Sequence, residues 1–229
     1  MQIDEFDTRD EAFEAVASYT INALHTSLEA NGRASLLLSG GRTPSTAYEM
    51  IARSGLAWDN ISIGLVDDRW VDDPDPASNA LLVRESVLEK GAQKASFVPM
   101  KTSHNSPDLA LPEVEAAYLR FQTPDVAIIG LGPDGHTASW FPGATGSGEA
   151  MSPDNPNCIA AIDASGSEVA GDHPARITVT LPVLARAKHV VLLITGDEKK
   201  SVLLNSAAGL PIHRLFDARQ NAVKTIWTP

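Results

Sequence analysis

The 229-residue sequence predicts an α/β fold, a mostly parallel sheet with helices on both faces, on three observations. A long segment near the amino end carries apolar residues at helical spacing, several short apolar runs rich in β-branched residues follow, and these runs alternate with further helical stretches. Strand-then-helix alternation is the signature of parallel sheets built from crossover units. The composition, 43% hydrophobic and 21% charged, is that of an ordinary globular chain. A chain of this length buries roughly 70% or more of its unfolded surface, enough for a sizeable core with a pocket beside it. No linker-like tract or internal repeat divides the sequence, so one domain over residues 1–229 is expected.

Between residues 10 and 30, Phe13, Val16, Ala17, Ala23, Leu24 and Leu28 line one helical face, and Asn31-Gly32 supplies the stop. Residues 34–38, 61–66, 125–129, 158–162, 176–180 and 189–195 read as strands buried on both faces. Helical stretches are expected at 44–53, 79–89, 112–120 and 197–208, with Ser78 capping the second and Pro112 in the first turn of the third. Residues 72–78, 101–111 and 142–157, rich in Pro, Asp, Ser, Gly and Asn, read as loops. Ligands of such sheets bind outside the carboxyl ends of the strands, so functional residues are sought just after each strand.

Charge and composition exclude several classes. With 18 basic and 29 acidic side chains the net charge is −11, and no run of Lys or Arg forms the stripe a nucleic-acid backbone requires. No apolar run approaches the length of a membrane span, and the acidic start MQIDEFDTRDEAFEA does not resemble a signal peptide; no membrane partner and a cytoplasmic location are expected. Cys158 is the single cysteine, so no intrachain disulfide is possible, and its apolar surroundings read as those of an inert thiol. His25, His104, His173, His189 and His213 show no zinc-ligand spacing; no metal and no cofactor are expected. A small anionic substrate remains open, because a few converging cations set the local potential whatever the distant surface carries.

Four segments carry candidate chemistry. After the first apolar run comes Ser39-Gly40-Gly41-Arg42-Thr43-Pro44, two glycines before a helix start, which suits an anion cradle and a plain turn equally; the Walker spacing is absent. After the next run stands Asp67-Asp68-Arg69-Trp70, where Arg69 is placed to pair with a phosphate and be oriented by a neighbouring carboxylate, against the alternative of a solvated face. Arg176 begins a later strand. Lys199 lies in the first turn of a predicted helix, where a cation opposes the helix dipole; that placement fits a bound anion or a snorkelling surface lysine.

The fourth segment is residues 130–139, GLGPDGHTAS, whose first six residues match Gly-x-Gly-x-x-Gly. A dinucleotide fingerprint should open a full helix, yet Phe141-Pro142-Gly143 breaks any helix within about two turns, and Asp163 lies beyond the usual acidic spacing of about 20 residues. A glycine-rich loop presenting His136 with Asp134 beside it is the better reading, since imidazole suits proton transfer near neutral pH and a carboxylate can fix its tautomer. Asp134 supporting a turn with His136 as a helix cap is the plainer alternative.

Taken in order, SGGRTP, DDRW, Ser78-Asn79, GLGPDGHTASWFPG, Pro174-Ala175-Arg176-Ile177-Thr178 and TGDEKK resemble the motif series of the 6-phosphogluconolactonases over nearly the whole chain. The related glucosamine-6-phosphate isomerases continue their Asp-Gly-His with Ile-Ala-Phe-Asn-Glu and tend to have Met-Asp-Glu-Tyr where this chain has Val66-Asp67-Asp68-Arg69; both differences favour the lactonase side. Asp68 departs from the Glu usual in the lactonases. The resemblance implies a three-layer, modified Rossmann-like α/β/α sandwich and hydrolysis of 6-phospho-D-glucono-1,5-lactone in the oxidative pentose phosphate pathway, without a cofactor. It implies that His136, assisted by Asp134, activates water, and that Gly41, Arg42 and Thr43 with Arg69, Arg176 and Lys199 hold the phosphate.

A lactone is an activated ester, so a positioned water, a base and donors for the developing oxyanion suffice. A Gly-x-Ser-x-Gly nucleophile elbow is absent, which favours direct water attack, with the glycine loop at residues 130–135 the candidate oxyanion hole. The competing expectations are an amino-sugar-phosphate isomerase or deaminase and a non-catalytic sugar-phosphate sensor; the acidic helix at 10–30 is no DNA-reading element.

Overall fold

The computed structural model describes residues 1–41, 43–205, 209–220 and 222–229. Its central sheet has seven strands, β1 (Ile3–Glu5), β2 (Ala34–Leu38), β3 (Ile61–Leu65), β5 (Ser96–Val98), β6 (Val126–Ile129), β9 (His189–Thr195) and β10 (Lys224–Thr228). They are arranged in the order β1-β10-β9-β6-β2-β3-β5, and every pairing is parallel. Helices cover both faces, as the alternation of strands and helices predicts. The apolar runs of β2 and β6 are buried at every position, the pattern of strands packed on both sides.

Helix α1 (Arg9–Asn31) begins at Thr8, whose hydroxyl accepts from the Glu11 N–H while Glu11 returns a bond to the Thr8 N–H, and it ends at Gly32 in the left-handed conformation. It packs on α2 (Ser45–Ala52), and α2 on the segment Arg84–Ala92. That segment is π-helical, so the helix expected over 79–89 is α-helical only as α3 (Asn79–Val83) before its hydrogen bonding loosens. On the third expected helix the sequence reading misplaced the start: α4 (Pro107–Tyr118) uses Pro107 in its first turn and carries Pro112 inside, so residues 107–111 are helix rather than loop. The expected helix at 197–208 is α7 (Asp197–Leu204), and residues 206–208 lie outside the described residues.

Two predicted strands belong elsewhere. β7 (Ile159–Asp163) and β8 (Ala175–Val179) leave the parallel sheet and pair antiparallel with each other, and β8 pairs with β4 (Asp67–Arg69). An apolar β-branched run shows only that a strand is buried, not which sheet buries it. Helix α4 covers β7 and β8, so the small sheet is buried as thoroughly as the large one. Helices α5 (Ser147–Ala150), α6 (Leu181–Arg186) and α8 (Pro211–Ala218) complete the described elements.

Strand order places the ligand crevice. From β2 the chain moves to β3 and β5 on one side, then returns to β6 on the other, so the order reverses between β2 and β6. At such a reversal the loops leaving two adjacent strands diverge and open a cleft at the carboxyl end of the sheet.

Candidate active site

A cavity of about 280 Å³ occupies that cleft. Its walls come from the loop after β2 (Ser39, Gly41, Thr43), from β4 (Asp67, Arg69), from the loop after β6 (residues 130–133 with His136), and from Arg176 and Lys199. The structure therefore brings together every predicted site residue it describes, except that Asp134 stands behind His136 rather than on the wall. Arg42 lies outside the described residues.

The Asp134–His136 pair is held by its own loop. The Gly132 N–H donates to the His136 carbonyl at 2.8 Å, the Gly135 N–H to Gly132 at 3.1 Å, and the His136 N–H to Asp134 Oδ1 at 3.2 Å. Asp134 Oδ1 lies 2.5 Å from His136 Nδ1. A Cβ on Gly132 would stand 2.1 Å from the imidazole, so only glycine admits the ring at this point. The ring also packs against Phe141, with centroids 4.3 Å apart. Burial works to raise the Asp134 carboxyl, but the hydrogen bond and charge attraction from His136 outweigh it and hold it below its ordinary value. A carboxylate can only accept, so Nδ1 carries the proton and Nε2 is the nitrogen left for another partner. No helix opens after Gly135; the next described one is α5, which removes the dinucleotide geometry and the helix-cap role for His136.

Cations line the same cavity. Arg69 and Arg176 are direct partners in the antiparallel β4–β8 register. Arg69 Nη1 donates to the Ala77 carbonyl at 2.6 Å, and Arg176 donates to the carbonyls of His173 (2.5 Å) and Ala170 (3.0 Å) and lies over the Phe141 ring. Arg176 is buried, and burial first, with Arg69 adding to it, depresses its guanidinium even though Asp67 and Asp68 attract it. Lys199, half-buried in the first turn of α7, is likewise depressed by burial against the weaker attraction of Glu198. Among the described residues none of these three cations has a carboxylate within salt-bridge distance. Three cations without salt-bridge partners among the described residues, two of them desolvated, around one cavity form a site complementary to an anion.

The two acids of the Asp-Asp-Arg run separate because successive side chains of a strand point to opposite faces. Asp68 turns away from the cavity, fully buried, and accepts from the N–H groups of Arg69 (2.8 Å), Asn79 (2.7 Å) and Ala80 (3.2 Å) and from Ser78 Oγ (3.4 Å), bracing β4 against the start of α3. Asp67 turns toward the cavity and accepts from Ser139 Oγ at 2.6 Å. Asn79 joins these parts: its amide donates to the Asp67 carbonyl at 2.8 Å and fills the space a side chain at Gly40 would need. Ala138, on the cavity wall, has φ of 51°, an uncommon left-handed conformation for a residue with a Cβ. The network of Asp67, Asn79 and Ser139 was not read from sequence; its one signal was the strand alternation of a three-residue strand too short to notice. Among the described residues no three His, Cys, Asp or Glu side chains are grouped to hold a metal ion, and no helix is long and apolar enough to cross a membrane.

A parallel sheet whose strand order reverses beside a cavity lined by His136, paired with Asp134, and by three cations defines an α/β protein with an anion-complementary site. The chain belongs to the glucosamine-6-phosphate isomerases/6-phosphogluconolactonase family, whose model matches residues 7–227. It is 38% identical over 211 residues to a 6-phosphogluconolactonase of Xylella fastidiosa (strain 9a5c), covering 90% of this chain and 87% of that one. It is 34% identical over 222 residues to a 6-phosphogluconolactonase of Rhizobium meliloti (strain 1021), covering 94% of each. The crystal structure of a 6-phosphogluconolactonase from Shewanella baltica OS155 superposes with a TM-score of 0.87 at 28% identity, covering 99% of this chain and 97% of that one. A monomeric glucosamine-6-phosphate deaminase shares the fold, with a TM-score of 0.77 at 15% identity over 100% of this chain and 97% of that one.

Proposed function

We propose that this chain hydrolyses 6-phospho-D-glucono-1,5-lactone to 6-phospho-D-gluconate, as a single cytoplasmic domain serving the oxidative pentose phosphate pathway. The observation that carries the reading is that one cavity is lined both by His136, paired with Asp134, and by Arg69, Arg176 and Lys199, none of which has a carboxylate within salt-bridge distance among the described residues. Relatives named 6-phosphogluconolactonase support the substrate.

In this mechanism the 6-phosphate sits against Arg69, Arg176 and Lys199, with Gly41 and Thr43 completing the cradle, and the lactone carbonyl reaches toward His136. His136 Nε2 takes a proton from a water molecule as its oxygen attacks C1, while Asp134 stabilises the imidazolium through Nδ1–H. The tetrahedral oxyanion collapses with cleavage of the bond between C1 and the ring oxygen, which takes the proton back from Nε2 and leaves as the C5 hydroxyl. Donors on the loop at residues 130–135 are the candidates to stabilise the oxyanion.

The test is lactone hydrolysis on freshly generated 6-phosphogluconolactone, corrected for spontaneous opening and compared with His136→Ala. A rate well above the uncatalysed one that falls in the variant is expected; a parent rate equal to the uncatalysed one overturns the reading.

A further inference from the structure

Asp67 is more than nine-tenths buried, lies on the cavity wall, and has one carboxylate oxygen with no donor among the described residues. That contrasts with Asp68 beside it, whose two oxygens collect four donors. A buried carboxylate normally gathers several hydrogen bonds, because desolvating it without them is costly. Asp67 Oδ2 is taken by Ser139 Oγ at 2.6 Å, whereas Oδ1 has no donor among the described residues on a side chain that lines the cavity. Its aim is fixed from both ends. Ser139 is fully buried and its N–H donates to Thr178 Oγ1 at 3.2 Å, and the Asp67 carbonyl is held by Asn79 at 2.8 Å.

We infer that Asp67 is a specificity residue that accepts a hydrogen bond from a ring hydroxyl of the lactone, and that Ser139 is the positioning residue that aims it. This rests on the lactonase reading above. A carboxylate repels a phosphate dianion, and a lactone carbonyl has no proton to give, so among the groups of such a substrate only the ring hydroxyls at C2, C3 and C4 match Oδ1. Asp67, Arg69, His136 and Lys199 line the same cavity, so a lactone held with its phosphate at the cations and C1 at His136 carries its ring hydroxyls in the space that Asp67 faces.

The experiment compares kcat/KM for 6-phosphogluconolactone and its 2-, 3- and 4-deoxy analogues on the parent, Asp67→Ala and Ser139→Ala. The parent is expected to disfavour one deoxy analogue by about 10- to 100-fold, the worth of a hydrogen bond to a charged group. In Asp67→Ala that penalty collapses to within about threefold, while the penalties for the other analogues are unchanged; Ser139→Ala reduces it part of the way. Ser139→Ala also carries the test if Asp67→Ala does not fold, and an undiminished penalty there overturns the proposal. A penalty pattern that survives in Asp67→Ala, with all four substrates slowed equally, makes Asp67 a scaffold or a base and overturns the hydroxyl assignment alone. A parent without lactonase activity removes the underlying reading, and this assignment with it.

Discussion

Arg69 and Arg176 occupy directly opposed positions of an antiparallel strand pair, two like charges in the register where such pairs repel. Neither has a carboxylate partner within salt-bridge distance among the described residues, and Arg176 is buried. A bound dianion relieves that repulsion, so ligand binding and fold stability are linked at this pair. Inorganic phosphate is expected to raise the thermal unfolding midpoint of the parent above that in chloride of equal ionic strength. Arg69→Met should lose at least half of this shift; an equal shift in parent and variant places the phosphate elsewhere.

In the proposed site Lys199 adds to the phosphate grip from the first turn of α7. Its contact with a phosphate is the same in ground and transition states, so its removal should weaken binding without slowing the chemical step. Lys199→Ala is expected to raise KM for 6-phosphogluconolactone about 10-fold or more, with kcat within about threefold. Glucono-1,5-lactone, which lacks the phosphate, should be poorer than the phosphorylated substrate by on the order of 10²- to 10³-fold in kcat/KM. Steady-state kinetics on both lactones check this, and equal efficiency on the two refutes it.

How far the sequence carried these assignments depended on whether a signal was local. The apolar runs of β2, β3, β6 and β9 are buried strands ending in the loops that line the cavity, so burial and strand order along the chain were enough to place Gly41, Arg69, His136 and Lys199. The swap of β7 and β8 into a separate antiparallel sheet was not legible, because sheet partnership depends on residues more than a hundred positions apart, such as Asp67 and Thr178. For the same reason the sequence could mark Arg176 as a strand residue but not as the cross-strand partner of Arg69. The Asp67–Ser139 hydrogen bond spans 72 residues and leaves no local trace. Edge strands β1 and β5 and the interior strand β10 escape sequence reading for a different cause: the first two are three residues long, and β10 mixes Lys and Thr with its apolar positions.

Asp68 supplies a pH test of the scaffold. Burial pushes its carboxyl up to about 7, above its ordinary value of 3.8, against the N–H groups of Asn79, Arg69 and Ala80 that favour the ionised form. The folded state therefore holds a proton that the unfolded chain has released between these two values. Its contribution to stability is fully present below about pH 4 and is lost as pH rises through about 7. Urea unfolding between pH 5 and 8 should show the parent losing stability relative to Asp68→Asn, whose amide does not titrate, by on the order of a few kcal/mol at most. Parallel pH profiles for the two proteins would show that the four donors keep Asp68 ionised throughout.

The last prediction concerns the proton itself. His136 is wedged between Gly132 and Phe141 with Nδ1 on Asp134, so Nε2 is the one imidazole nitrogen free to meet a water molecule. Positioned acid–base catalysis contributes about 10²- to 10⁴-fold, and His136→Ala or His136→Asn should lower kcat by that order. Both variants should keep the phosphate-induced rise in unfolding midpoint, because the cations lie on β4, β8 and α7 and do not depend on the imidazole. Asp134→Asn should cost less, since an amide oxygen can still accept from Nδ1–H while losing the charge that stabilises the imidazolium. Chelator treatment should leave the parent rate unchanged. A folded His136→Ala protein with near-parental turnover would sink the assignment, and the base would then have to be sought at Asp67, the acid that lines the cavity among the described residues.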